Sequence, residues 1–541
     1  LRFLPLILSL LCVVVAGVFL HTGAPLAIAV FGVAGAISLL GLYDLAQRHH
    51  SLKRNYPILA NLRFLLEKVR PEIRQYFLES DTDGRPFNRS KRAIVYQRAK
   101  HQLDKRPFGT LQDPYSADFE FLTHSIAPVA VANADFRISV GGPQCRQPYA
   151  LSLLNISAMS FGSLSGNAIL ALNKGARLGG FAHDTGEGSI SRYHREGGGD
   201  IIWEVASGYF GCRNEDGTFR PALFAEQAQQ PQVKMIEIKL SQGAKPGHGG
   251  VLPGAKVTPE IAAARGIRIG VDCISPAFHS AFSTPRGLMR FIAELRELSG
   301  GKPVGFKLCI GHRREFMAIC KAMLATGILP DFIVIDGAEG GTGAAPLEFV
   351  DHLGMPLRDG LSFAHNCLVG AGLRKDIRLG ASGRIITAFD MARVFALGAD
   401  WCNMARGFMF SLGCVQALTC HTDRCPSGVA TQDKLRQRAL VVPDKAERVR
   451  RFHHSTLAAL AELIGAAGLR HPQEITAAHI MKRMSASEVE TFADLYPVVA
   501  PGSLVDGRAT GLYAELWARA DPDSFVANAP EPLREQLAAA E

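Results

Sequence analysis

The chain has 541 residues, 47% of them apolar and 20% charged, an ordinary globular balance that excludes a disordered or collagen-like protein and leaves room for several domains or one large barrel with additions. Eleven cysteines in so long a chain form no short secreted disulfide framework, and a clustered triad among them points to metal work in a reducing compartment. The net charge of +9 resides in residues 48–107, with 15 Lys/Arg against 6 Asp/Glu, so nothing in the main body calls for nucleic acid.

Residues 3–20 and 24–43 are two uncharged apolar runs separated by His21-Thr22-Gly23. Each approaches the ~20 residues that span a bilayer, which predicts a transmembrane hairpin over residues 1–43. A cleaved signal peptide competes for the first run, but the second run and the lack of a small-residue cleavage site weigh against it. Arg48, Lys53, Arg54, Arg63, Lys68, Arg70 and Arg74 follow the second run. By the positive-inside rule this end faces the cytoplasm, which predicts a multi-pass protein of the inner membrane with its main body inside. Residues 44–125 read as a basic juxtamembrane segment and a polar connector. Within them, residues 58–80 carry an amphipathic helical pattern interrupted at Pro71, and the basic charge suits anionic headgroups.

From 126 to 435, short apolar runs alternate with helical patterns, as in a parallel α/β fold. Candidate strands are Leu151–Ser157, Phe181–His183, Val233–Leu240, Ile267–Cys273, Val304–Leu308, Phe332–Asp336, Ile377–Leu379 and Trp401–Met404. Eight strands over this length predict a (β/α)8 TIM barrel. Glycine-rich polar loops follow several of them, where a barrel carries its catalytic face. No G-x-G-x-x-G fingerprint is present, so a nucleotide-binding Rossmann unit has no support. Residues 436–541 read as a helical extension packed on the barrel.

Lys239, Lys245, Lys256 and Arg265 concentrate positive charge in a glycine-rich stretch with Gln242, a pattern suited to a dicarboxylate or a phosphate. Lys307 lies inside an apolar strand and needs a partner or a cavity. Closely spaced backbone N–H groups in Ala338–Pro346 resemble an anion nest. Ser382-Gly383 and Arg406-Gly407 follow candidate strands seven and eight, where barrel phosphate sites lie. Cys414, Cys420 and Cys425 form C-x5-C-x4-C-P, whose thiolates suit an iron–sulfur cluster, or zinc with His421 as fourth ligand, or simply burial as structural cysteines.

The motifs MSFGS, TGEG, EIK-x-x-QGAKPG-x-GG-x-LPG-x-KV, GGTGAAP and C-x5-C-x4-C-P-x-GVATQ occur in this order over residues 125–435. Together they resemble the FMN-binding synthase domain of glutamate synthase, and the N-terminal part resembles the membrane-attached glutamate-synthase-like proteins. The resemblance implies a flavin (β/α)8 barrel holding FMN and a [3Fe–4S] cluster ligated by Cys414, Cys420 and Cys425. It implies Glu187 and Lys239 as catalytic residues, with Gln242, Lys245 and Arg265 around flavin and 2-oxoglutarate. Ser160, Thr185, Lys307, Gly341, Thr342, Ser382, Gly383 and Gly407 fall on the flavin side. The implied reaction is reductive amination of 2-oxoglutarate to L-glutamate with ammonia, electrons arriving through the cluster from a ferredoxin or a reductase subunit.

The sequence departs from that family in three places. Apolar runs stand where the family carries a glutamine amidotransferase domain, so ammonia is expected free or from a separate amidotransferase. After TGEG the acidic continuation is replaced by Ser189-Ile190-Ser191-Arg192-Tyr193-His194. PGEGG has become Pro246-Gly247-His248-Gly249-Gly250. The last two changes fall at the pocket mouth and bear on the substrate, leaving open an alkylamine-using relative of the N-methylglutamate synthase kind. A zinc-binding membrane scaffold without catalysis is the alternative from another class.

Overall fold

The computed structural model describes residues 2–526 and divides the chain into two compact units, residues 1–90 and 91–541. The first unit opens with helices Leu4–Phe19 and Pro25–Ala46, each with Pro in its first turn, where a missing N–H costs nothing. Gly23, at φ +64°, makes the turn between them. The two helices pack on Leu6, Ala16 and Ala34, and Ser38 Oγ lies 3.0 Å from Ser9 Oγ. Their other faces leave Val14, Val18, Leu26, Val33 and Leu39 more than 60% exposed. Among the described residues, only Pro25–Ala46 is long and apolar enough to cross a bilayer. The 16 residues of Leu4–Phe19 rise about 24 Å, short of a hydrocarbon core of about 30 Å. The two-span, multi-pass expectation is therefore not supported, and membrane association rests on one helix.

Buried Asp44, near the end of that helix, accepts the Ile58 N–H at 3.0 Å and the Asn61 amide at 2.5 Å. This ties the start of helix Leu59–Ile73, which follows the short helix Ser51–Asn55, to the end of the apolar one. Pro71 does not interrupt it as expected; the helix continues into a wider turn at Arg74–Leu78.

In the second unit, eight parallel strands close into a barrel in sequential order: β1 (Leu154–Ile156), β2 (His183–Asp184), β3 (Ile201–Val205), β4 (Val233–Lys239), β5 (Val304–Leu308), β6 (Phe332–Asp336), β7 (Arg378–Ser382) and β8 (Trp401–Met404). The barrel was expected, but one of its strands was misplaced. Ile267–Cys273 is not in it; only Cys273–Ile274 is extended, paired with Val251–Leu252 in a loop, and Ile269 and Val271 are exposed. Its place is taken by β3, Ile-Ile-Trp-Glu-Val, buried at every position. Barrel strands covered by helices lie between two apolar layers and carry no alternation, whereas the alternating IRIGVDC forms a loop in which apolar and polar positions alike are exposed.

A helix follows each strand. Gly166–Gly179 starts at Ser165, whose hydroxyl accepts the Ala168 N–H, and stops at left-handed Gly180. The last barrel helix is Val442–Ala466, so the barrel extends past the expected boundary at 435. Its Val449, Phe452, Leu457, Leu460 and Ile464 recur at helical spacing and are buried, each contributing roughly 1.5–3 kcal/mol. Gly175 lets this helix close on Gly166–Gly179, since a Cβ there would lie 2.4 Å from Val449. The extension beyond is not wholly helical: Ile480–Arg483 pairs with Val489–Thr491 and with Glu120–Leu122. The connector likewise contains a helix, Arg89–Ala99, whose Tyr96 hydroxyl donates to the Cys414 carbonyl at 2.6 Å.

Two long insertions leave the carboxyl ends of strands, residues 240–284 after β4 and 405–441 after β8. They carry the basic loop and the cysteines.

Candidate active site

β4 ends at Lys239, and its side chain emerges at the barrel mouth. Lys239 Nζ lies 3.1 Å from Glu187 Oε2 of the TGEG loop after β2. Burial acts to raise the Glu187 pKa, but Lys239, Arg265 and Lys245 outweigh it and hold the carboxyl below its ordinary range. Gly250 presses its backbone against this group: a Cβ there would sit 1.9 Å from Glu187 Oε1. The pair lines a cleft with Ser207, Gln242 and His248.

The loops around the mouth interlock. Gly186, at φ +64°, could hold no side chain, because its Cβ would lie 2.8 Å from the Ser160 nitrogen. Arg265 is buried and donates to the Phe161 carbonyl at 3.2 Å and to Ser160 Oγ at 3.4 Å, with Phe210 beneath its guanidinium. Thr185 Oγ1 accepts the Glu204 N–H at 3.1 Å, joining β2 to β3. Lys245, buried, donates to the Ala344 carbonyl at 3.1 Å, and burial lowers its pKa.

On the far side, the Gly337 N–H donates to the Ser382 carbonyl at 2.8 Å, and Ser382 Oγ is 3.4 Å from Ser157 Oγ. Gly383 turns there at φ +142°. Gly341 lies against Arg406, which donates to the Glu339 carbonyl at 2.8 Å. Burial brings the Arg406 pKa down to about 10, and Arg384 adds to the effect. Exposed Thr342 sits on the same loop, and Gly407 packs against Phe452. These residues were expected on one side of a cofactor, and the structure gathers them at the ends of β6, β7 and β8.

Lys307 is held lower in the barrel. It is ion-paired with Glu204, with Glu237 Oε1 at 2.9 Å and with Asp184 Oδ2 at 4.0 Å, all four residues buried. Desolvation and mutual repulsion raise the pKa of Asp184 and Glu237, and Lys307 is raised by the surrounding carboxylates despite its burial. Lys307 is the cation this three-carboxylate group encloses.

Sequence reasoning missed the support of Lys239. His279 Nε2 donates to the Lys239 carbonyl at 2.9 Å, and Nδ1 faces the Tyr209 hydroxyl at 3.0 Å. The Ala281 N–H in turn donates to that hydroxyl at 3.1 Å. Burial brings the His279 pKa down to about 4, so the ring is neutral and can donate at one nitrogen while accepting at the other. No motif marks the segment FHSAF that carries it.

The cysteine loop reaches this mouth. Gln432 donates to the Gly162 and Leu164 carbonyls, both at 3.0 Å, and its N–H donates to Asp423 Oδ1 at 2.7 Å. Gln416, Leu418 and Asp423 adopt left-handed backbone within it. Burial pushes the Cys414 thiol up to about 12 and also raises Cys420. Burial would raise Cys425 too, but hydrogen bonds from Ser427, Ala430 and Val429 prevail and lower it. The three thiols act on one another electrostatically, yet among the described residues they do not converge within the 4.8 Å at which three ligands gather about one ion. His421 is exposed.

Residues 125–470 match the family model described as the conserved region in glutamate synthase. The chain is 37% identical over 480 residues to the glutamate synthase large subunit-like protein YerD of Bacillus subtilis (strain 168), covering 81% of this chain and 91% of that protein. It is 36% identical over 314 residues to the archaeal-type glutamate synthase [NADPH] of Thermotoga neapolitana, covering 58% and 59%. Against the glutamate synthase [NADPH] large chain of Bacillus subtilis it is 35% identical over 365 residues, covering 63% of this chain and 22% of that one. The chain thus spans less than two thirds of the length of those last two relatives.

Proposed function

The chain belongs to the glutamate synthase family, and on that footing we propose that it is a membrane-associated FMN and iron–sulfur oxidoreductase that reductively aminates 2-oxoglutarate to L-glutamate. The observation that carries this reading is the joining of a cysteine triad to a cationic barrel mouth through Gln432 and the Gly162 and Leu164 carbonyls. FMN suits the arc formed by Ser382, Gly383, Gly341, Thr342 and Gly407. Arg384 and Arg406 lie near enough to act on each other, and such a like-charged pair favours an anion such as the FMN phosphate. Ser160 and Thr185 belong to the opposite loops. When bound, FMN supplies the hydride for reducing a carbon–nitrogen double bond.

Cys414, Cys420 and Cys425 suit the three irons of a [3Fe–4S] cluster. N–H donors directed at Cys425 sulfur favour the thiolate, as cluster ligation requires. Such a cluster supplies single electrons. Lys239, Lys245 and Arg265 provide positive charge for a dicarboxylate, with Gln242 beside them. Glu187 takes up or returns a proton at the nitrogen while Lys239 holds it in position. Lys307 and its carboxylates keep a cation beneath the mouth.

Ammonia arrives free or from a separate amidotransferase, and electrons from a ferredoxin or a reductase subunit. The apolar helix Pro25–Ala46 attaches the chain to a membrane, with the basic helix that follows on the cytoplasmic side. A second reading, an alkylamine in place of ammonia, is favoured by His248, which lines the cleft where the resemblance has a carboxylate. The test supplies purified protein with 2-oxoglutarate, a reduced donor, and ammonia or methylamine. Glutamate from ammonia is expected; N-methylglutamate alone would replace the substrate assignment, and neither product would end it.

A further inference from the structure

The cysteine loop rests on a buried cation that belongs to the other insertion. Lys256 lies in the turn Gly254–Lys256, and only 4% of its side chain is exposed. Its Nζ donates to the Cys420 carbonyl at 2.8 Å. Among the described residues the one carboxylate within 4 Å is Asp423, at 3.9 Å, and that group already accepts the Gln432 N–H at 2.7 Å. The Lys256 charge also acts on the sulfurs of Cys420 and Cys425. The turn itself is fixed: the Lys256 N–H donates to the Pro253 carbonyl at 2.8 Å, and the Gly254 N–H to Asp272 Oδ1 at 2.6 Å.

A buried ammonium bonded to a neutral carbonyl and only loosely paired is costly unless nearby negative charge offsets it. An iron–sulfur cluster held by three thiolates is an anion, and its one-electron reduction adds another negative charge. We propose that Lys256 is the electrostatic partner of this cluster, anchoring Cys420 and raising the cluster's reduction potential. It rests on the cluster reading above. The step involved moves one electron from an external reductant onto the cluster, with no bond made or broken. Lys256 does not ligate iron and is a positioning residue.

The test is potentiometric titration of the full-length protein with dithionite, following the electron paramagnetic resonance signal of the oxidised cluster and the iron content. Lys256→Gln retains a donor for the Cys420 carbonyl without the charge, and Lys256→Arg retains the charge. The glutamine variant is expected to keep about three irons and lose about tenfold in the reduced-to-oxidised ratio at a given potential, a downward shift of about 59 mV for one electron. The arginine variant is expected to stay near the wild type. An iron-loaded glutamine variant with an unmoved midpoint overturns the proposal while leaving the cluster reading intact. If the glutamine variant loses iron and the arginine variant keeps it, the need for charge is upheld; loss in both overturns it, because shape rather than charge would then be required. Wild-type protein without iron or signal overturns the cluster reading and this proposal together.

Discussion

Lys239 and Glu187 face each other across the barrel mouth, Nζ to Oε2 at 3.1 Å, and each is held from behind. His279 bonds the Lys239 carbonyl, while the Gly250 backbone leaves no slack beside Glu187. The pair is thus fixed before any substrate arrives, the preorganised charge that a reacting site needs.

Removing either charge is expected to lower kcat/KM by about 10²-fold, the scale set by loss of one preorganised electrostatic group. Lys239→Met and Glu187→Gln, assayed for glutamate formation against 2-oxoglutarate concentration, check this. Lys239→Met is expected to raise KM as well, because it removes a cation from the cleft proposed to take the dicarboxylate. Activity within about twofold of wild type in both variants would remove the pair from the mechanism.

Gly250→Ala is expected to displace Glu187 and cost at least about tenfold in kcat/KM, since its Cβ would lie 1.9 Å from a carboxylate oxygen. Gly311→Ala is the control: a Cβ there would have no heavy atom within 4 Å, and its φ is ordinary. Equal activity in the two variants would contradict the close-contact argument.

Stability is expected to fall on mild acidification. His183, His194, His279, His365 and His453 are depressed by burial, with His279 and His365 at about 4 and His183 and His453 at about 3, against 6.5 when unfolded. Below pH 6.5 the unfolded chain binds protons that the folded chain refuses. Each histidine therefore withdraws stability as pH falls toward its folded value, up to about 1.4 kcal/mol per pH unit. Raised Asp184, Glu237 and Glu315 act in the opposite sense, but they are fewer than the depressed histidines. Denaturant midpoints measured from pH 7 to pH 5 should decrease, and a flat profile would contradict this. In His453→Gln the slope should be shallower.

The membrane reading rests on Pro25–Ala46. Val33, 62% exposed on that helix, is a lipid-facing position under this reading. Val33→Arg is expected to release the chain from alkaline-washed membranes, because an arginine at mid-span costs about 2.5–3.5 kcal/mol on insertion scales. Wild-type protein that washes off would end the reading.

The barrel was legible because its loops carry long motifs and most of its strands are apolar runs. β3 escaped notice because IIWEV contains Glu204, whose partner Lys307 lies 103 residues away, and only closure of the barrel makes that carboxylate a core group. Ile267–Cys273 was convincing for the wrong reason, since its alternation marks an exposed loop. Lys307 was correctly picked out as needing a partner, but spacing cannot say that Glu204, Glu237 and Asp184 provide it. His279 and Tyr209 were invisible because their role runs through a backbone carbonyl, for which no residue type is diagnostic. The boundary at 435 fell inside the barrel because the cysteine insertion separates β8 from its helix.

The most direct test of the central claim is an absorbance spectrum of the purified protein with metal and flavin analysis. Flavin absorbance near ~450 nm, FMN on release and about three irons per chain are expected. Colourless protein containing zinc would contradict it.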